Sequence, residues 1–502
     1  MTHDEITLQL ADEAATARLG ADLAAAAQPG DVFALQGDLG AGKTTLARGF
    51  IRAMSADPAL DVPSPTFTLA QAYEARIPVH HFDLYRIGGS AELDELGLDE
   101  AIETGVALVE WPERATGALP PDTITVAIAH EGDGRLATIR GLLPAMKRVR
   151  RSLDIRAFLE KAGMGHATRT FLLGDASTRA YETAVLPAGG KCILMNAARQ
   201  PDGPPIRDGK PYSQIAHLAE SVVPFVAIAR ALKARGLSAP DIYAQDLDRG
   251  LLLIEHLGDG GFLDAAGNPV AARYLAAAEL LAFLHGHGWP RDLEAAPGIV
   301  HHLPAYDREA LSIESELLVD WYLPAETGRA VRVEDRMAYA AAWQPAFHHL
   351  ESAERSLVLR DFHSPNIIWR DGRSGHDRLG LIDFQDALWG PSSYDVASLA
   401  QDARVTISPE LERAIVEAYC LARENAGGFD RDAFEAAYAI TAAQRNSKIL
   451  GIFVRLNVRD GKPHYLKHLP RIRDYVARSL RHPALVTVRD FFEHNGIAGA
   501  PR

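Results

Sequence analysis

The sequence predicts an α/β domain over residues 1–150, followed by a two-lobed α+β domain over residues 151–502. Three observations predict this order. Residues 1 to about 145 alternate short apolar strands with helical stretches, the pattern of a parallel α/β sheet. Within that alternation, "GDLGAGKTT" at 37–45 sets a glycine-rich turn between a strand and a helix. Much later, "LVLRDFHSPNIIW" at 357–369 and "LGLIDFQD" at 379–386 place Asp361, Asn366 and Asp383 on two strand ends.

The elements follow in order. "DVFALQG" (31–37) reads as a strand, "GKTTLARGFIRAM" (42–54) as a helix, and "VHHFDLY" (79–85) and "GVALVEW" (105–111) as strands. "DTITVAIAHEGDGRLATIRG" (122–141) reads as a hairpin turning at Gly-Asp-Gly. "MKRVRRS" (146–152) shows no strand or helix pattern and is expected to be a solvated basic linker, with an RNA-touching patch as the lesser alternative. A domain boundary is placed near 150. Beyond it, "LDIRAFLEKAG" starts a new helix, "TFLLGDASTRAYETAVL" is strand–loop–strand, and "KCILMNA" is a strand. The Pro/Gly-rich "RQPDGPPIRDGKPY" (199–212) reads as a surface loop, and long helical stretches fill the rest.

A chain of 502 residues calls for two or three domains. Its composition, 47% hydrophobic and 24% charged, is ordinary for a soluble globular protein. No apolar run is long enough to span a bilayer, and "MTHDEITLQL" lacks the basic start and apolar core of a secretion signal, so the chain is expected in the cytoplasm. Cys192 and Cys420 lie far apart in apolar surroundings and are expected to be packing residues. The pairs His80-His81, His301-His302 and His348-His349 lack a metal-ligand frame and are read as structural or surface residues. A net charge of −14 argues against broad coating of nucleic acid.

The first candidate site is the turn at 37–45. Gly37, Gly42, Lys43 and Thr44 satisfy the spacing of a phosphate-binding loop, with Leu39, Gly40, Ala41 and Thr45 completing the cradle. Backbone amides of such a turn face phosphate oxygens, Lys43 neutralises charge, and the Thr44 hydroxyl is placed to ligate magnesium. Hydrolysis also needs an acid near the metal and a sensor of the terminal phosphate. Thr66 in "SPTFTL", Asp83 in "HFDLYR" and Glu110 in "EWPER" are the candidates. Taken singly, each acid is also an ordinary strand terminus. Behind a phosphate loop, together, they read as functional.

"GDLGAGKTTLARG", "SPTFTL", "HFDLYR", "ELDELGLDE" and "EWPER" resemble, in order over about 1–145, the TsaE family, the ATPase subunit of the bacterial tRNA threonylcarbamoyladenosine machinery. The resemblance implies a small P-loop ATPase that uses ATP and Mg2+. It implies work with the other proteins of that machinery, touching tRNA indirectly. It assigns Lys43 and Thr44 to phosphate and metal, Glu110 to the second metal position, Asp83 and Thr66 to hydrolysis, and Trp111 to the nucleotide's surroundings. Glu13 matches a family position near the base.

The second candidate site is Asp361, Asn366 five positions on, and Asp383 a further 17. In kinase-like folds the first accepts a substrate hydroxyl proton, and the other two hold metal on the phosphates. "FLLGDASTRAYETAV" reads as a hairpin whose turn, with Ser177 and Thr178, covers phosphates. "GLLLIEHLGDG" (250–260) is expected to be the hinge, with the backbone between Glu255 and Leu257 meeting adenine; a plain core strand is the alternative. One part is missing. Met195 stands where the strand lysine is expected, and Lys191 starts that strand.

"GDASTRAYE", "ILMNA", "LLLIEHLGD", "RDFHSPNIIW", "IDFQDALWGPSSYDVASLAQDAR" and "GIFVRLNVRDGKPHYLKHLPR" resemble the aminoglycoside-phosphotransferase-like family over about 153–490. The branch they match is the anomeric kinases of N-acetylmuramate and N-acetylglucosamine used in cell-wall recycling. That branch also lacks the strand lysine, whereas Asn196 departs from its usual acid. The resemblance implies an amino-sugar substrate, ATP as phosphoryl donor, Asp361 as base, and Asn366 and Asp383 as metal ligands. "RLNVRDGK" (455–462) reads either as a contact for sugar hydroxyls or a lactyl carboxylate, or as a solvated turn. A fusion of two independent ATP users is the reading. Its rivals make the second domain a kinase for another small alcohol or a non-catalytic binding module.

Overall fold

The computed structural model describes residues 2–87, 96–115, 117–172, 179–186, 189–199 and 202–497. The chain divides into two compact units, one of residues 1–197 with 243–254, the other of 198–242 with 255–502.

In the first unit, strands β1 (His3–Leu10), β2 (Val32–Gln36), β3 (Ala70–Tyr73), β4 (Val79–Asp83), β5 (Val106–Glu110), β6 (Ile124–Glu131) and β7 (Gly134–Leu142) form one sheet in the order β1-β7-β6-β2-β5-β4-β3. The sheet is mixed rather than wholly parallel. β2 runs parallel to β5 and β6, and β4 to β5, but β1, β3 and β7 join antiparallel. The difference arises at the edges: the β6–β7 hairpin turns at Gly132-Asp133 as expected, and β1 zips onto β7 over its full length. Alternate residues of β2 and β5 point to opposite faces, as the pleat requires. Phe33, Leu35 and Leu108 enter a core with Leu46, Phe50 and Ile51 of helix α2 (Lys43–Met54). Val32, Ala107 and Val109 enter another with Phe82 and Leu98. Helix α1 (Glu13–Ala26), capped by Asp12 on the Ala15 amide, crosses α2 where Gly20 and Gly49 lie. A Cβ on Gly49 would sit 2.1 Å from the Ala17 carbonyl oxygen, so the two backbones approach as only glycine permits.

The segment expected as a linker is instead helical. Residues Leu143–Lys161 form one helix, named α4 here after α3 (Leu98–Thr104), and the boundary expected near 150 falls inside it. Three of its arginines are engaged within this unit, Arg148 with Asp31, Arg150 with Asp4, and Arg151 with Asn196. The same unit holds a second sheet, ordered β13-β14-β10-β9-β8, from β8 (Thr168–Leu172), β9 (Ala180–Val185), β10 (Lys191–Asn196), β13 (Ile242–Asp246) and β14 (Leu251–Glu255).

The second unit is mostly helical. The expected surface loop at 199–212 contains a small hairpin, β11 (Pro205–Arg207) with β12 (Lys210–Pro211). A further hairpin pairs β15 (Asp292–Ala296) with β16 (Ile299–His302). Two more carry the expected catalytic residues: β17 (Arg355–Val358) pairs with β20 (Leu388–Pro391), and β18 (Ile367–Trp369) with β19 (Leu379–Leu381). Helices α5 (Arg308–Ser315), α6 (Ser393–Ala400) and the 30-residue α7 (Arg431–Asp460) pack behind them. Among the described residues, no helix is long and apolar enough to cross a membrane.

Candidate active sites

In the first unit β2 ends at Gln36, and residues 37–42 turn the chain into α2. Gly37 holds φ at +142°, and a Cβ there would meet the Ile128 carbonyl oxygen at 2.3 Å. Gly40 and Gly42 are also left-handed, Leu39 projects into solvent, and Ala41 is buried. This turn ends on the N-terminus of a 12-residue helix, where free amides and the helix dipole favour an anion. The Lys43 ammonium donates to the Gly37 and Asp38 carbonyls at 2.7 and 3.0 Å and lies 3.7 Å from the centre of the Trp111 ring. Burial draws its pKa below the ordinary value, against the opposing pull of Glu110, Glu113, Asp83 and Asp38. The Thr44 hydroxyl donates to both carboxylate oxygens of Glu110, at 3.0 and 3.1 Å.

Asp83 and Glu110 end neighbouring parallel strands and are paired in register. They therefore share the crevice at the carboxyl end of the sheet, the usual ligand position in such folds. Asp83 Oδ2 accepts from the Ser64 hydroxyl at 2.7 Å and the Thr66 hydroxyl at 3.0 Å. Trp111, at φ +59°, stacks obliquely on Tyr85 with ring centres 5.0 Å apart. A left-handed non-glycine residue costs on the order of 1–3 kcal/mol and is held where neighbours over-determine it. The Thr45 hydroxyl reaches exposed Glu13 at 3.4 Å. Lys43, Thr44, Thr66, Asp83, Glu110 and Trp111 thus lie together around one crevice.

Two residues of this crevice were missed. Ser64 shares Asp83 with Thr66, and its signal was its place two positions before Thr66. His81, read as structural or surface, is fully buried and its Nε2 lies 3.0 Å from Glu110 Oε1. Strand periodicity could have found it: on β4, His81 and Asp83 share a face.

In the second unit the loop after β17 is anchored from below. The buried Asp395 carboxylate of α6 accepts from the Leu359 and Arg360 amides at 2.6 and 2.9 Å, and buried Asp402 accepts from the Ser364 amide at 2.9 Å. Arg360 is left-handed (φ +71°), and its buried guanidinium pairs with Glu314 of α5. Asp361 follows at once. Burial raises the pKa of its carboxyl, but the charges of Lys448, His363, Arg360 and Arg445 outweigh that and hold it below 3.8, its ordinary value. Asn366 Nδ2 donates to the Asp361 carbonyl at 2.9 Å and comes within 3.4 Å of Asp383 Oδ2. The β18–β19 pairing brings this about, since Ile367 lies opposite Leu381 and the Ile382 amide donates to the Asn366 carbonyl at 3.1 Å. Asp383 itself is left-handed (φ +58°), and Gln385 Nε2 donates to its Oδ1 at 2.8 Å.

Other expected parts fare differently. The Glu255 amide donates to the Asp241 carbonyl at 2.8 Å and its carboxylate pairs with Arg370, so this amide is already engaged and not open to a base. Leu257 is buried against Gly380. Met195 is buried on β10 opposite Tyr181, and Lys191 is exposed at the strand's start. Asn196 accepts twice from Arg151, at 2.6 and 2.9 Å, where an acid would have made an ion pair. Ser177 and Thr178 lie outside the described residues.

Comparison with known proteins defines the class: an enzyme joining an ATPase-family part to a phosphotransferase. The family described as "Threonylcarbamoyl adenosine biosynthesis protein TsaE" matches residues 10–137, and "Phosphotransferase enzyme family" matches 161–435. A Caulobacter vibrioides N-acetylmuramate/N-acetylglucosamine kinase is 36% identical over 349 residues, 67% of this chain and 94% of that protein. A tRNA threonylcarbamoyladenosine biosynthesis protein TsaE from Bacillus subtilis is 42% identical over 112 residues, 22% of this chain and 68% of that protein. Its counterpart in Treponema pallidum is 35% identical over 120 residues, 24% of this chain and 87% of that protein. The chain belongs to the phosphotransferase enzyme family over its larger part and to the TsaE family over its N-terminal part.

Proposed function

We propose that this chain is bifunctional: a P-loop ATPase (1–150) serving tRNA threonylcarbamoyladenosine formation with that machinery's other proteins, and an ATP-dependent kinase (151–502) for the anomeric hydroxyl of N-acetylmuramate or N-acetylglucosamine in cell-wall recycling. The carrying observation is that Asp361, Asn366 and Asp383, spread over 23 positions, meet at one loop and one hairpin. The relatives' names supply the substrate.

The donor sets suit Mg2+, which prefers oxygen ligands and keeps waters and phosphate oxygens around it. Thr44 with Glu110 is one such set in the first unit, and Asn366 with Asp383 the other in the second. Bound there, the ion would neutralise phosphate charge. Lys43 leaves its two loop carbonyls for phosphate, and the amides of residues 37–42 enclose it. Asp83, with Ser64 and Thr66, orients the attacking water. In the second site the ionised Asp361 accepts the proton as the sugar oxygen forms its bond to phosphorus and the bond to ADP breaks.

A panel of amino sugars and amino alcohols with labelled ATP, using the full-length chain, tests the kinase reading. Labelled N-acetylmuramate 1-phosphate is expected. Labelling only of an amino alcohol would move the assignment to another kinase. No transfer to any acceptor would favour a non-catalytic module, for which the missing cation at Met195 speaks.

A further inference from the structure

One face of α7 carries Thr441, Gln444, Lys448, Gly451 and Arg455, spaced by three, four, three and four residues, so they form a single stripe along the helix. The donors earlier in the stripe are engaged, although Gln444 Oε1 is itself buried without a partner among the described residues. Gln444 Nε2 donates to the Leu311 carbonyl at 3.0 Å, and Lys448 Nζ to Glu314 at 2.7 Å. At Gly451 the helix nearly touches the backbone of Leu317, where a Cβ would lie 2.2 Å from the carbonyl oxygen. One turn farther, Arg455 breaks the pattern. Its Nε is buried with no hydrogen-bond partner, and among the described residues no carboxylate lies within ion-pair distance of it. The nearby acid Asp460 is engaged by Arg459 at 2.7 and 2.9 Å. Among the described residues, the Arg455 guanidinium has the Tyr212 ring, 5.6 Å away, as its one recorded contact. Burial lowers its pKa somewhat, yet arginine stays charged at neutral pH.

Arg455 is half-buried with its Nε shut away from water, and a cation so placed without an anion is a ready partner for a ligand that brings one. The position of Arg455 says which ligand. Lys448 belongs to the charges that act on Asp361, and the Tyr212 hydroxyl lies among Glu314, Lys448 and Arg360 as well as Arg455. Seven residues of helix separate Lys448 from Arg455, a rise of about 10 Å. That span matches one pyranose ring with an acidic side chain, its reacting hydroxyl at one end and its carboxylate at the other.

Resting on the sugar-kinase reading above, we propose that Arg455 is the specificity residue that binds the substrate's carboxylate, with Tyr212 fixing the guanidinium plane. The site therefore discriminates in favour of N-acetylmuramate, whose lactyl ether ends in a carboxylate, over N-acetylglucosamine, which has a hydroxyl there. The test measures sugar phosphate formation by the full-length chain with each sugar, for the parent, Arg455→Gln and Arg455→Lys. Removing a buried charge-assisted contact predicts a fall in kcat/KM for N-acetylmuramate of about 10- to 100-fold, chiefly in KM. The N-acetylglucosamine value should change less than about threefold, which also reports that the variant folds, and Arg455→Lys should recover part of the loss. Equal losses for both sugars, or no loss with N-acetylmuramate, overturn the inference while leaving the kinase reading intact. A parent that phosphorylates neither sugar overturns both.

Discussion

Lys43 and Asp361 are both charged groups held ready by their surroundings, and each makes a separate demand on experiment. Lys43 is kept at the turn by the Gly37 and Asp38 carbonyls and the Trp111 ring, contacts that a phosphate can replace. Lys43→Ala in the full-length chain should abolish nucleotide hydrolysis without acceptor while sugar phosphorylation continues at the parental rate. Loss of both activities in the folded protein would sink the idea of separate sites. Asp361→Asn keeps the shape but removes the charge that, in the proposed scheme, accepts the proton. It should lower sugar phosphorylation by a factor on the order of 10² or more with ATP affinity little changed, because in the proposed scheme Asn366 and Asp383, not Asp361, would hold the metal. The pH behaviour follows from the direction of its shift. Since the folded carboxyl titrates below its ordinary value, Asp361 is ionised throughout pH 5–8 and contributes no acid limb there. Its share of stability is complete above the unfolded value and is lost only as pH falls through the folded one. A kcat/KM profile with an acid limb centred near pH 6 that vanishes in Asp361→Asn would contradict this assignment.

At the scale of elements, the sequence was most legible where pattern and chemistry coincide. β2, α2, β4 and β5 stand where apolar runs and the glycine turn put them, and the β6–β7 and β18–β19 hairpins bring their residues together as the spacing implied. It was least legible where charge hid periodicity. In α4 the pairs Met146 with Val149 and Ile155 with Leu159 each sit at helical spacing but enter two different cores, and the arginines between them read as a linker because their partners, Asp4, Asp31 and Asn196, are distant in sequence. The same limit hid His81, whose partner Glu110 lies 29 positions away, and the anchoring acids of the catalytic loop. Asp395 is such an anchor, and it carries the prediction at this scale. Asp395→Ala leaves the Leu359 and Arg360 amides buried without partners, a loss of about 2–4 kcal/mol. Thermal unfolding of the full-length protein should shift down by on the order of 5 °C or more. Sugar phosphorylation should fall as well, since Arg360 loses the bond that holds its left-handed backbone. An unchanged Tm would show that the loop is fixed by other contacts.

For the molecule as a whole, the decisive feature is the seam between the two family matches, which end at 137 and resume at 161. Read as sequence, this seam looks like a place to cut. Within the first unit it is instead a buried ionic cluster. Asp22 of α1 accepts from Arg156 of α4 at 2.9 Å and from Arg169 of β8 at 2.8 Å, Arg169 pairs with Glu182 of β9 at 2.6 Å, and the Ser152 hydroxyl donates to the Asp22 carbonyl at 2.6 Å. All five residues are buried. Burial alone would lower the Arg169 pKa, but Glu182 and Asp22 outweigh it and raise it. A buried ion pair adds little net stability over an apolar replacement, yet removing one partner leaves an uncompensated charge and costs about 3–5 kcal/mol. A chain cut at 150 and begun at 151 loses Asp22 together with the first half of α4. Arg156 then keeps the Gly165 and Ala167 carbonyls but loses its carboxylate, Arg169 keeps Glu182 and Ser152, and Leu153 loses the core it packs against. The prediction is that residues 151–502 expressed alone unfold well below the corresponding transition of the full-length protein or fail to give a cooperative transition. Asp22→Ala in the full-length chain should reproduce part of that loss, measured by calorimetry. If the 151–502 fragment unfolds cooperatively at the parental temperature and phosphorylates its sugar at the parental rate, the cluster is dispensable and the two family parts are folded independently after all.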